Sequence, residues 1–144
     1  MSGIVNHVGL AVADLARSRR FYEEVLGFTF RNEISVPDGA TTHMFALEGP
    51  LGLRAAYLER DGWVLELLCF EATGGATPRA RSMNEAGLTH ISICVDDVED
   101  TESKAIAHGG EVLVDQGFKG MVSLIRDPDG QLVELLPMGY RDTL

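Results

Sequence analysis

Two histidines and two glutamates occupy unusual places in this chain. His7 and His90 each open an apolar run, Val8-Gly9-Leu10-Ala11-Val12 and Ile91-Ser92-Ile93-Cys94-Val95. Glu66 and Glu134 each interrupt one, Trp63-Val64-Leu65-Glu66-Leu67-Leu68 and Leu132-Val133-Glu134-Leu135-Leu136. A carboxylate buried in such a strand is costly unless it is protonated, paired with a cation or coordinated to one. A divalent metal satisfies all four residues together. Two carboxylates cancel its charge, two neutral imidazoles complete the protein ligands, and an octahedral ion keeps two positions for water or substrate. Taken one at a time, each histidine reads equally as a hydrogen-bonded core residue. Each glutamate reads as the partner of an arginine, with Arg54, Arg60 and Arg126 the candidates.

Repetition argues against separate explanations. The segment Asn6-His7-Val8-Gly9-Leu10-Ala11-Val12-Ala13-Asp14-Leu15 aligns with Thr89-His90-Ile91-Ser92-Ile93-Cys94-Val95-Asp96-Asp97-Val98 at an offset of 83, the spacing from His7 to His90. Gly62 to Leu68 aligns with Gly130 to Leu136 at an offset of 68, the spacing from Glu66 to Glu134. The difference of 15 residues is an insertion in the first half, expected around His43 to Arg60.

The elements that would position these residues repeat as well. Ile4 to Val12 and Leu88 to Val95 read as strands, rich in Val, Ile and Leu. Asp14, and Asp96 or Asp97, stand where helix N-caps belong. Leu15, Tyr22, Val25 and Leu26, and later Val98, Ala105 and Ile106, recur at helical spacing, and Gly27 and Gly109-Gly110 end those helices. Glu111 to Val114, Met121 to Arg126 and Gln131 to Leu136 read as strands, with Asp127-Pro128-Asp129-Gly130 as the clearest turn. The expectation is an α+β chain of two βαβββ modules, residues 4–70 and 88–137, joined by a linker at 71–87 that holds Gly74-Gly75 and Pro78. Strand alternation puts Val8, Leu10 and Val12 under a helix, and likewise Ile91, Ile93 and Val95. His7, Gly9 and Ala11, and His90, Ser92 and Cys94, then face the other way, onto a surface lined by small residues.

Composition bounds the partners. At 144 residues the length suits one domain with a real core. Twelve basic against 22 acidic residues give −10 and a pI near 4.7, and the densest basic run is Arg17, Arg19 and Arg20. Nucleic acid and anionic membrane surfaces are therefore not expected partners. No apolar run reaches 18 residues, and Met1 to Gly9 has neither a basic start nor a long apolar run, which sets the expectation of a cytoplasmic protein. Cys69 and Cys94, each inside an apolar run, are expected as free thiols.

These residues resemble the vicinal oxygen chelate superfamily, which includes glyoxalase I, methylmalonyl-CoA epimerase, extradiol dioxygenases, fosfomycin-resistance enzymes and bleomycin-binding proteins. The resemblance runs from His7 to Leu136. Its strongest stretches are His7 to Val12, Ser18 to Phe28, Gly87-Leu88-Thr89-His90-Ile91, and Asp127-Pro128-Asp129-Gly130 leading to Glu134. It implies two βαβββ modules forming an open curved barrel around a metal, usually in a homodimer. His7, Glu66, His90 and Glu134 fall where glyoxalase I places its ligands, which implies one divalent metal per site, Ni, Zn, Co, Mn or Fe. Epimerases typically carry Gln in place of Glu66. Ring-cleaving dioxygenases use two His and one Glu and leave the place of Glu66 open.

The activity implied is that of a metal-dependent lyase or isomerase of the glyoxalase or epimerase type acting on a small molecule. It would abstract a proton beside a metal-polarised carbonyl, with Glu134 or Glu66 as the base. The alternatives are an Fe(II) ring-cleaving dioxygenase and a non-catalytic antibiotic-binding protein. Where bacterial glyoxalase I enzymes carry an arginine on the first strand and an asparagine just after the first glutamate, this chain has Ala11 and Phe70. That change implies a more apolar substrate or a large thioester. Phe70, His43 and Lys119 are the candidate substrate contacts, Lys119 from a loop that closes over substrate in relatives.

Overall fold

The computed structural model describes residues 2–75, 79 and 81–143. Pro78 of the expected linker lies outside them. The chain divides into two compact units, Met1–Glu23 with Gly27–Ala76, and Glu24–Leu26 with Thr77–Leu144.

The first unit holds a four-stranded mixed sheet ordered β1-β4-β3-β2, from β1 (Val8–Val12), β2 (Thr29–Ser35), β3 (Leu53–Arg60) and β4 (Trp63–Phe70). β1 lies parallel to β4, whereas β3 is antiparallel to both β4 and β2. Helix α1 (Leu15–Arg20) packs on β3 and β4. Asp14 caps it by accepting the backbone N–H of Arg17 at 2.9 Å. On the covered face Val12, Leu58, Leu65, Leu67 and Cys69 are buried. Tyr22, Phe28 and Trp63 extend this core as a chain of ring contacts 5.8 and 5.9 Å apart.

The second unit repeats the plan, ordered β5-β8-β7-β6, from β5 (Ile91–Val95), β6 (Glu111–Phe118), β7 (Val122–Arg126) and β8 (Leu132–Pro137). β5 is parallel to β8, and α3 (Val98–Ala107) packs on β6, β7 and β8. Asp97, not Asp96, caps α3, accepting the N–H of Asp100 at 2.9 Å. Both cysteines are free thiols. The chain is thus α+β with two four-stranded mixed sheets, and each sheet keeps open edges.

Four details differ from the sequence reading. β1 starts at Val8 rather than Ile4. Val8 already pairs with Leu65 near the start of β4, so Ile4 and Val5 have no strand beside them and stand 92% and 82% exposed. Leu88 precedes β5 for the same reason. The first helix is not uniform, because a π-helical turn (Phe21–Val25) follows α1. The insertion lies earlier than expected: residues 38–45 form an additional helix, α2 (Asp38–Phe45), and β3 begins only at Leu53. His43 is therefore a helical residue and not a strand residue. Pro37 and Asp38 start α2, and Thr41 and Thr42 hydroxyls donate back to the carbonyls of Pro37 and Asp38. The carboxylate of Asp38 also accepts the N–H groups of Leu51 and Gly52, tying the following loop to the helix start.

The Asp127 turn does for β7 and β8 what its sequence suggests. Asp127, 3% exposed, accepts the N–H groups of Asp129 and Gln131 at 2.9 and 2.8 Å, and its carbonyl accepts from Gly130. Asp127→Ala strands these donors and is expected to cost about 2–3 kcal/mol, with Asp127→Asn losing roughly half as much. Chemical denaturation measures both, and an unchanged midpoint for Asp127→Ala would refute this account of the turn.

Candidate metal centre

Strand alternation fixes which side chains share a face. In the first unit β1 and β4 pair Gly9 with Glu66 and Ala11 with Leu68, while β3 and β4 pair Tyr57 with Glu66 and Ala55 with Leu68. Glu66 therefore stands on the face opposite α1, between Gly9 on one side and Tyr57 on the other. Its neighbours in sequence, Leu65 and Leu67, are fully buried on the helix side. The Tyr57 pairing follows from the turn. Asp61 and Gly62 both have positive φ, 53° and 80°, and form a two-residue hairpin that puts Arg60 opposite Trp63. Glycine adopts that conformation without strain.

Glu66 is 13% exposed and engaged through both oxygens. The Tyr57 hydroxyl donates to Oε1 at 2.5 Å, and His7 Nε2 lies 3.1 Å from Oε2. The hydrogen bond to Glu66, reinforced by burial, pushes the Tyr57 phenol up to about 12, so it acts as a donor throughout the physiological range. The rings of Tyr57 and His7 meet edge to face, 5.8 Å apart at 83°. The other ring nitrogen of His7, Nδ1, is 2.6 Å from Asn6 Oδ1. Asn6 thus engages Nδ1 and leaves Nε2 facing the carboxylate.

The second unit holds the counterpart. β5 and β8 pair Ser92 with Glu134. His90 Nε2 lies 3.7 Å from Glu134 Oε2, the Ser92 hydroxyl donates to that same oxygen at 2.5 Å, and Thr89 Oγ1 engages His90 Nδ1 at 2.9 Å. Glu134 is 26% exposed, twice the value of Glu66. Across β7, the position opposite Glu134 is Leu124, which offers no donor.

The arginines have other partners. Arg54 bonds Glu33 and Glu71, and these two carboxylates hold its guanidinium above its usual range. Arg60 lies 3.5 Å from Asp61, and Arg126 donates to the carbonyl of Gly130. None of these pairs involves Glu66 or Glu134. Arg54, Glu33, Glu71 and Phe70 also line a cleft of about 530 Å³ with Asp14, on the α1 end of the sheet.

The His7–Glu66 pair has the spacing of two ligands on one divalent cation, and the His90–Glu134 pair is wider than that spacing. Imidazole nitrogen and carboxylate oxygen bound at ~2.1 Å to one ion lie about 3.0–3.4 Å apart for right-angle or tetrahedral arrangements. The pairs measure 3.1 and 3.7 Å. Among the described residues, no three or more His, Cys, Asp or Glu side chains cluster around one point. The structure thus brings His7 to Glu66 and His90 to Glu134, each pair within its own unit.

The candidate substrate contacts lie elsewhere. Phe70 ends β4 on the same face as Glu66 and packs edge-on against Phe45 of α2, centroids 6.0 Å apart. His43 is exposed on α2, and Lys119 is exposed in the turn between β6 and β7. Tyr57 has no place in the sequence reading, although the Asp61-Gly62 hairpin, counted outward, already sets it opposite Glu66.

Two sheets of this order, each with a parallel first and last strand, define a glyoxalase-like chain. The family model described as Glyoxalase/Bleomycin resistance protein/Dioxygenase superfamily matches residues 4–135, and the chain belongs to that superfamily. A probable chloroplastic lactoylglutathione lyase of Arabidopsis thaliana is 31% identical over 92% of this chain, which spans only 35% of that protein. A lactoylglutathione lyase of Neisseria meningitidis serogroup A is 29% identical, over 90% of this chain and 87% of its own length. Among solved structures, the trypanothione-dependent glyoxalase I of Leishmania major shares the fold with a TM-score of 0.71 at 24% identity, covering 97% of this chain and 90% of that one. No helix among the described residues is long and apolar enough to cross a membrane.

Space at Gly9 is part of the site. A Cβ there would sit 3.3 Å from Leu68 Cδ1 and 3.5 Å from Glu66 Oε2, whereas nothing lies within 4 Å of one at Gly3. Gly9→Val is expected to cost about 1–3 kcal/mol by overpacking, and Gly3→Val to stay within about 0.5 kcal/mol of the parent. Thermal unfolding of the two variants side by side checks this, and equal midpoints would contradict it.

Proposed function

We propose that the protein is a metal-dependent lyase or isomerase of the glyoxalase or epimerase type, with His7, Glu66, His90 and Glu134 as the ligands of one divalent cation per site. The observation that carries this reading is the repeated His–Glu pair, set on a small-residue face at the same strand register in both units. The relatives named as lactoylglutathione lyases support it, as does the donor set of two imidazoles and two carboxylates, which suits Ni, Zn, Co, Mn or Fe alike. A bound cation supplies electrophilic stabilisation to a substrate oxygen on which negative charge grows.

The rest of the chemistry belongs to the chain. Asn6 and Thr89 hold the imidazole rings by Nδ1 and leave Nε2 as the donor atom. Glu134 takes the proton-transfer role. It is the more exposed carboxylate, and both its contacts fall on Oε2. It accepts a proton from the carbon beside the substrate carbonyl and returns it to the neighbouring carbon; inversion at a single carbon would need a second proton donor on the opposite face. Glu66, held at both oxygens, keeps to the ligand role.

Phe70, with Phe45 behind it, and Ala11 add apolar surface on the sheet face that carries Glu66. That surface suits a thioester or an apolar hemithioacetal better than an anionic tripeptide. His43 and Lys119 supply polar contacts to substrate, Lys119 to an anionic tail, and the working form is a homodimer.

Elemental analysis of protein purified without added metal is expected to show a divalent transition metal that His7→Ala loses. A metal-free protein indifferent to that change would refute the reading. Glu134→Gln is expected to lower kcat by about 10²–10⁴-fold on the substrate turned over. Assays on an α-ketoaldehyde hemithioacetal and on an acyl-CoA epimer separate the two reactions. Oxygen consumption with a catechol would instead establish a dioxygenase.

A further inference from the structure

We propose that Tyr57 is a positioning residue for the first half of the metal centre, holding Glu66 through its hydroxyl and backing His7 with its ring edge. This rests on the metal reading above and adds to it a residue outside the ligand set. The Tyr57 hydroxyl takes Glu66 Oε1 at 2.5 Å, which directs Oε2 at His7 Nε2, 3.1 Å away. The same side chain meets the His7 ring at 5.8 Å, so one residue fixes both donors of the pair. Its own place is set by backbone, because the Tyr57–Glu66 register follows from the Asp61-Gly62 turn.

The second unit shows that this is a particular solution and not a general feature of the sheet. Opposite Glu134 stands Leu124, and the hydroxyl comes from Ser92, on the other flanking strand. Ser92 occupies the position that Gly9 holds in the first unit. In the first unit a Cβ at position 9 would lie 3.3 Å from Leu68 Cδ1 and 3.5 Å from Glu66 Oε2, so a side chain there would be tight against Leu68. Each carboxylate thus receives one hydroxyl, from opposite sides. The tyrosine ring is braced on His7 whereas Ser92 is exposed, so Tyr57 gives the firmer hold. The first pair is therefore set before a cation arrives, while the second keeps more freedom.

The test is Tyr57→Phe in the full chain, which keeps the ring and removes only the hydroxyl, beside Ser92→Ala and the ligand variant His7→Ala. Zn(II) affinity is read by competition with a chromogenic chelator, and the melting midpoint is read on metal-free protein. Tyr57→Phe is expected to weaken Zn(II) binding about 10- to 100-fold, to lower kcat more than it changes KM, and to leave the metal-free midpoint within a few degrees. Ser92→Ala is expected to do less. If His7→Ala loses Zn(II) while Tyr57→Phe binds it like the parent, the Tyr57 proposal falls and the metal reading stands. If neither change affects Zn(II), the metal reading falls and takes this proposal with it. A metal-free midpoint that drops sharply in Tyr57→Phe assigns Tyr57 to the fold alone and likewise overturns the proposal.

Discussion

A carboxylate at the centre of an apolar strand must be compensated where it stands, and the sheet around Glu66 is arranged to do so. Leu65 and Leu67 on either side of it are fully buried, so β4 cannot rotate to release Glu66 into water without exposing them. The side chain is held on a face where Gly9 and Ala11 leave room and Tyr57 and His7 supply partners. The hydrogen bond from Tyr57 satisfies one oxygen. The other faces His7 Nε2 at 3.1 Å.

The second unit repeats the constraint with different residues. β5 and β8 hold His90 and Glu134 in the register of His7 and Glu66, but Ser92 replaces Gly9 and Leu124 replaces Tyr57. The acid–base role proposed for Glu134 rests on this inequality of supports. A ligand set needs one carboxylate that stays and profits from one that can move, and a hydroxyl on a braced aromatic ring constrains its partner more than an exposed serine does. The same asymmetry appears in the accessibilities of the two carboxylates, 13% and 26%.

Much of this was legible in residue order because it depends on alternation and on repeats. The face shared by His7, Gly9 and Ala11, the helix caps at Asp14 and Asp97, and the Asp127 turn follow from local chemistry that a short window contains. What escaped depends on pairing across strands. Tyr57 reads as an ordinary strand aromatic until the Asp61-Gly62 hairpin is counted outward, and the starts of β1 and β5 depend on where their partners β4 and β8 begin. Helix α2 escaped because Thr41 and Thr42 discourage a helical reading, while their hydroxyls in fact bond back into the helix. The substrate remains outside sequence and fold alike, since Ala11 and Phe70 define the polarity of a surface and not the molecule against it.

The most direct test of the account is X-ray absorption on protein loaded with one equivalent of Zn(II). The ligand set proposed above, His7, Glu66, His90 and Glu134, predicts a first shell of nitrogen and oxygen only, with outer-shell scattering from two imidazoles per ion. One imidazole per ion would mean that each pair works alone. A sulfur neighbour would mean that Cys69 or Cys94 is the real ligand, and either result would contradict the account.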